Sequence, residues 1–222
     1  MVGLTSRKEA SARCCGALAL CFAGIACAPA AAEPIGSAYT DYDTKTCSHR
    51  SGRQVEDYGE WRCKGLNGIA VLVSAGDQRM TMSFGPHARD EPAAGQTLQG
   101  FNDVYKARLE WRYARGAGGR TQSFAAIVRW NTALPDERAD TADTGRPNTI
   151  GGAVLVVTRL GPHGVCHVGY VDARANRNAD ALARKIADEK ARSFRCDTDK
   201  PIILGETGPG FSSSSQAEKV DR

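Results

Sequence analysis

The chain has 222 residues, 24% of them charged and 41% hydrophobic, with a formal net charge of +4. So small an excess of charge argues against a dedicated nucleic-acid binder, which would carry a strong basic surplus. The length suits one domain with its own core, and no internal repeat is visible.

Residues 1–32 read as a secretory signal peptide rather than as fold. Arg7, Lys8 and Arg13 supply the positive start and "CCGALALCFAGIACA" the uncharged apolar run. Ala30 and Ala32 are the small residues before a cut preceding Glu33. That run falls short of the roughly 20 residues a spanning helix needs, and no other apolar run is long enough, so no transmembrane segment is expected. Cys27 in "GIAC" raises a lipid anchor as a minor alternative, but Gly24 stands where a branched aliphatic is expected.

Residues 33–59 are polar and are expected to be irregular. A domain is expected over 60–207, opening at "EWRCKGL", where Trp61 and Cys63 share one face of an extended segment. "IAVLVSAGDQRMTMSF" predicts a hairpin. Met80, Met82 and Phe84 alternate with Arg79, Thr81 and Ser83 after an "AGD" turn. The glycines and prolines of "GPHARDEPAAGQ" mark a loop. In the second hairpin, Leu109, Trp111 and Tyr113 alternate with Arg108, Glu110 and Arg112. "GAGG" forms its turn, and Phe124 to Trp130 is apolar on both faces, as in a central strand.

A polar connection follows, then "GGAVLVVTRL" and "VCHVGYVD" as strands joined by "GPHG". "NRNADALARKIADEKARSF" predicts a helix capped by Asn176 or Asn178, with Ala179, Leu182, Ala183 and Ile186 as its apolar stripe. Asp180–Arg184, Arg184–Asp188 and Asp188–Arg192 stand at the four-residue spacing of helical ion pairs. "PIIL" is a short strand, and 208–222 is expected to be a disordered tail. Hairpins followed by one late helix make an α+β domain, an antiparallel sheet with the helix packed on one face.

Beyond the leader the chain keeps Cys47, Cys63, Cys166 and Cys196. An even, small set in an exported chain reads as a disulfide framework, and four cysteines allow three pairings. Sequential pairing, Cys47–Cys63 and Cys166–Cys196, closes local segments and is the expected one.

Five residues, "HGVCH", place His163, Cys166 and His167 together. Adjacent residues of a strand point to opposite faces, so Cys166 and His167 diverge, and neither a zinc ligand set nor a thiolate beside its base forms easily. No metal site or cofactor is implied. His49 and His87 fall in loops. The carboxylates of "DYD" (Asp41, Asp43) and "DERADTAD" (Asp136, Glu137, Asp140, Asp143) match no calcium loop. No catalytic residue is assigned. No nucleophile elbow, phosphate loop, dinucleotide fingerprint or zinc-protease motif is present.

The feature with a binding chemistry is the second hairpin. Arg108, Arg112, Arg115, Arg120 and Arg129 gather around strands that also carry Trp111 and Trp130. Arg108 and Arg112 are expected to face outward while Trp111 faces in. Such a surface is either a solvated sheet face or a seat for carboxylate or phosphate.

The leader, "GEWRCKGL", "DQRMTMSFG" and "VCHVGYVDAR" together resemble exported proteins of Gram-negative bacteria. The resemblance implies a compartment and brings no activity, ligand or catalytic residue.

The sequence thus points to a periplasmic or secreted protein, cleaved near Ala32. It would act by binding an anionic envelope component or another exported protein. Two alternatives stay open: an envelope hydrolase whose residues converge only in three dimensions, and a metal-binding protein using His163 and His167.

Overall fold

A computed structural model describes residues 34–51, 58–76, 78–98, 101–116, 119–132, 151–208, 211 and 218–220. The strands in chain order are β1 (Ile35–Asp43), β2 (Ser48–Ser51), β3 (Gly59–Lys64), β4 (Ala70–Gly76), β5 (Arg79–Phe84) and β6 (Asn102–Asp103). They continue as β7 (Lys106–Arg115), β8 (Thr121–Thr132), β9 (Gly152–Arg159), β10 (Cys166–Asp172), β11 (Ile202–Leu204) and β12 (Glu218–Val220). Between β10 and β11 lies α1 (Ala179–Ile186), which runs on through a π turn at Ala187–Ala191.

The fold is α+β, as the order of patterns predicts, but its hairpins separate into two sheets. The smaller sheet is antiparallel, in the order β2-β3-β4-β5. The larger runs β1-β7-β8-β9-β10-β11-β12, with β6 beside the end of β8. Its pairs are antiparallel up to β10. The helix then carries the chain back over one face, so β11 lies parallel to β10, and β12 is parallel to β11.

Two groups of core side chains fix the layers. Val71, Val73, Met80, Met82 and Phe84 of the small sheet bury against Leu109, Trp111, Val128, Trp130 and Val156 of the large one. On the opposite face, Ile127, Leu155, Val157, Val168 and Val171 bury against Ala179, Ala183, Ile186, Ala187 and Ala191 of the helix. Strands β8 and β9 are covered on both sides over Phe124–Val128 and Gly152–Val157, which is why those stretches are apolar. Each large side chain so buried contributes on the order of 1.5–3 kcal/mol. The alanines recur every four residues, and their small size lets the helix lie close to the sheet.

Two β-bulges set which side chains share a face. Opposite Arg112 and Tyr113 the register skips Phe124, so Phe124 and Ala125 both reach the helix side. Between His167 and Gly169 it skips Val168, so Val168 and Val171 face the helix while Tyr170 joins the inter-sheet core.

Both disulfides form with the sequential pairing, Cys47–Cys63 and Cys166–Cys196. The first ties the corner between β1 and β2 to β3. The second ties the segment after the helix to the start of β10.

Several expectations change. The segment 33–59, expected to be irregular, supplies β1 and β2. Both are edge strands held by backbone pairing, and in β1 only Tyr42 is buried, so the sequence offered no alternation to read. In 208–222, Phe211 packs on Tyr170 at a ring separation of 6.2 Å, and Glu218–Val220 pairs with β11. The expected signal peptide, and the carboxylates Asp136, Glu137, Asp140 and Asp143, lie outside the described residues. Asn178 occupies the helix N-cap without a side-chain bond. Asn176 instead clasps two segments, donating to Asp172 O and Glu206 O and accepting from Glu206 N. Finally, Arg184 and Asp188 pair with the sheet rather than with each other, as the site requires.

Candidate functional site

Strand β7 carries two opposite faces, and the site is built on the one turned toward the helix. Leu109 and Trp111 enter the inter-sheet core, while Arg108, Glu110 and Arg112 alternate onto the helix side. The helix covers one end of that face. Arg112, 8% exposed, donates from Nε and Nη2 to the two carboxylate oxygens of Asp188 at 2.9 and 2.6 Å. Arg184 donates from Nε to Glu110 Oε1 at 2.6 Å and from Nη2 to Oε2 at 3.1 Å. The Glu110 bond pushes the Arg184 guanidinium pKa up, so its charge is fixed at every working pH. Ser37 of β1 bridges Glu110 and Arg112.

Past the first turn of the helix the face opens into a groove of about 420 Å³. Ile127 and Leu155 give it an apolar floor, and Lys106, Arg108, Arg129 and Arg184 bring four cations to it. Tyr39 and Asp180 also line it, with Asn131, whose amide donates to Asp103 at 3.1 Å. Arg108 meets Asp41 at 3.1 Å, but both side chains are about 70% exposed, and such a pair is worth little in water. Lys106 and Arg129 are exposed and make no ion pair among the described residues.

The five arginines singled out on the hairpin therefore have three different surroundings. Arg108 and Arg129 line the groove. Arg112 was expected on the outward face with Arg108. It does lie on that face, but under the helix, where Asp188 takes its guanidinium. Arg115 and Arg120 are exposed at the hairpin turn, the former seven residues along β7 from Arg108, about 23 Å at strand rise.

None of the four histidines lines the groove. His49 is exposed and stacks on Trp61, and His87 and His163 are exposed in loops. His167 is fully buried, pointing to the face opposite Cys166. The bulge at Val168 brings it to the same face as Tyr170, whose hydroxyl is 3.0 Å from Nδ1. Trp130 meets the ring edge-on at 5.7 Å, and Nε2 has no partner among the described residues. Burial lowers the His167 pKa to about 3 and raises that of Tyr170, so both are neutral at ordinary pH. Among the described residues, no three His, Cys, Asp or Glu side chains converge as a metal would require. Asp43 is used locally, accepting from Lys45 N at 2.9 Å.

Tyr39, Lys106, Asn131, Asp180 and Arg184 were not legible as groove residues. They come from β1, β7, β8 and the helix, and nothing in their local sequence marks a shared recess. Compared with protein-family models, with curated proteins and with solved structures, the chain matches none.

Proposed function

We propose that this protein is an exported, disulfide-braced binding module whose groove seats an anionic partner in the cell envelope. Lys106 and Arg129 carry the reading: two exposed cations beside Arg108, making no ion pair among the described residues, on the rim of an apolar-floored recess. A guanidinium offers paired N–H donors that match carboxylate or phosphate, and the recess limits how much water screens them. Its volume falls in the range of small-ligand sites, about 300–1,000 Å³. The two disulfides support an oxidising compartment. No described helix is long and apolar enough to cross a membrane. Cleavage of the leader before Glu33 belongs to the same reading, and the intact mass of the exported protein checks it.

The binding experiment is retention on an anionic matrix at low ionic strength. Arg108→Glu with Arg129→Glu is expected to abolish retention, and added salt to weaken it in the parent. Retention unchanged by the double substitution in low salt would sink the reading.

A further inference from the structure

The groove holds more than a bare anion needs. Tyr39 forms an aromatic wall. The Arg108 guanidinium carbon stands 5.8 Å over its ring, and Arg184 donates to its hydroxyl at 3.1 Å. Even so, 48% of the residue is exposed. Asp180, exposed in the first turn of the helix, lines the same groove and makes no ion pair among the described residues. A strongly anionic chain such as polyphosphate would meet this carboxylate with repulsion. A ligand carrying both an acid group and hydroxyl donors would use it. A lipid surface fits less well, because the cations line a recess. In addition, the exposed large hydrophobics among the described residues are all tyrosines, Tyr39, Tyr58 and Tyr105, with no aliphatic side chain to insert.

Resting on the anion-binding reading, we propose that the groove's ligand is an acidic saccharide, a sugar ring bearing a carboxylate among its hydroxyls. The carboxylate binds at Arg129 and Lys106. A ring hydroxyl donates to Asp180, and the apolar C–H face of the sugar lies on the face of Tyr39 not covered by Arg108, where the ring carries the negative end of the aromatic quadrupole.

The test is calorimetric titration of the disulfide-bonded full chain at low ionic strength. The probes are trigalacturonate, its neutral galactose counterpart and tripolyphosphate. Trigalacturonate is expected to bind most tightly and the neutral trimer not at all. Arg129→Glu should abolish binding, while Arg115→Glu, at the distant hairpin turn, should leave it unchanged. Tyr39→Ala should weaken it about tenfold, the loss of one aromatic contact, whereas Tyr39→Phe keeps the ring and the affinity. Equal or tighter tripolyphosphate binding, untouched by Tyr39→Ala, would overturn the saccharide and leave the anion groove standing. Loss with Tyr39→Phe as large as with Tyr39→Ala overturns the stacking role. Binding to anionic vesicles but not to trigalacturonate overturns the saccharide in favour of a lipid headgroup. If no anion binds and Arg129→Glu changes nothing, both readings fail together.

Discussion

His167 shows what one buried side chain imposes on the whole protein. Its ring is sealed between Trp130 and Tyr170, with Nε2 unpartnered among the described residues, and burial lowers its pKa from an ordinary 6.5 to about 3. The unfolded chain therefore takes up this proton at a higher pH than the native one does. Stability from this source is complete above about pH 6.5 and declines as pH falls toward 3, by about 1.4 kcal/mol per pH unit. His167→Gln does not titrate and can still meet the Tyr170 hydroxyl. Urea unfolding from pH 7 to pH 4 should show a shallower decline for this variant than for the parent, and parallel curves would show that His167 is not the acid-sensitive group. Arg159 is a second buried group with a structural task. At 3% exposure it donates to Gly164 O at 3.2 Å, and to Ala191 O and Arg192 O, at the end of the helical segment, at 2.7 and 3.0 Å. A cation there also complements the negative end of the helix dipole.

At the scale of elements, the question is what holds the helix to the sheet. Apolar contact is supplied largely by alanines, so charged contacts do more of the orienting. Removing Asp188 takes from Arg112, 8% exposed, the carboxylate it holds by two hydrogen bonds and leaves it Glu110 at 3.7 Å. Asp188→Ala is expected to cost about 2–3 kcal/mol in urea unfolding, at or below the low end for a buried pair because the Asp188 side chain is 28% exposed. Pairing it with Arg112→Met should cost less than the two single losses added, and strict additivity would show that the pair is not coupled. The β10 bulge has its own requirement. A Cβ on Gly169 would stand 2.8 Å from Ile202 O and 3.1 Å from Ile186 Cγ2, so strand and helix approach only because it is glycine. Gly169→Ala is expected to destabilise by about 1–3 kcal/mol, the range for overpacking, and a change below a few tenths would contradict that close approach.

For the whole molecule, the two disulfides brace different layers, Cys47–Cys63 at the inter-sheet core and Cys166–Cys196 at the helix-side core. Their sequence separations are 16 and 30 residues. In the loop-entropy account such closures stabilise by about 3 and 3.6 kcal/mol. The midpoint of urea unfolding should fall sharply on reduction. Cys166→Ala with Cys196→Ala should cost at least as much as the corresponding pair at Cys47 and Cys63, and the opposite order would contradict the loop-length account.

The strands of both hairpins were legible because alternation with period two is written locally, in Met80, Met82 and Phe84 and again in Leu109 and Trp111. Strands β8 and β9 were legible as central because burial on both faces makes Phe124–Val128 and Gly152–Val157 continuously apolar. The cysteine pairing followed from short separations. Strand β1 was not legible, because an edge strand is specified by its neighbour's backbone and not by its own side chains. Nor could the sequence divide the hairpins between two sheets, since every such hairpin has the same pattern whichever face it covers. It determined the class, the hairpins, the late helix and the presence of cations on the second hairpin. Only the tertiary structure decided which cations face the groove. Helix placement gives Arg112 to Asp188 and leaves Arg108, Arg129 and Lys106 facing the groove, because a charge is neutralised by what lies near it in space and not along the chain.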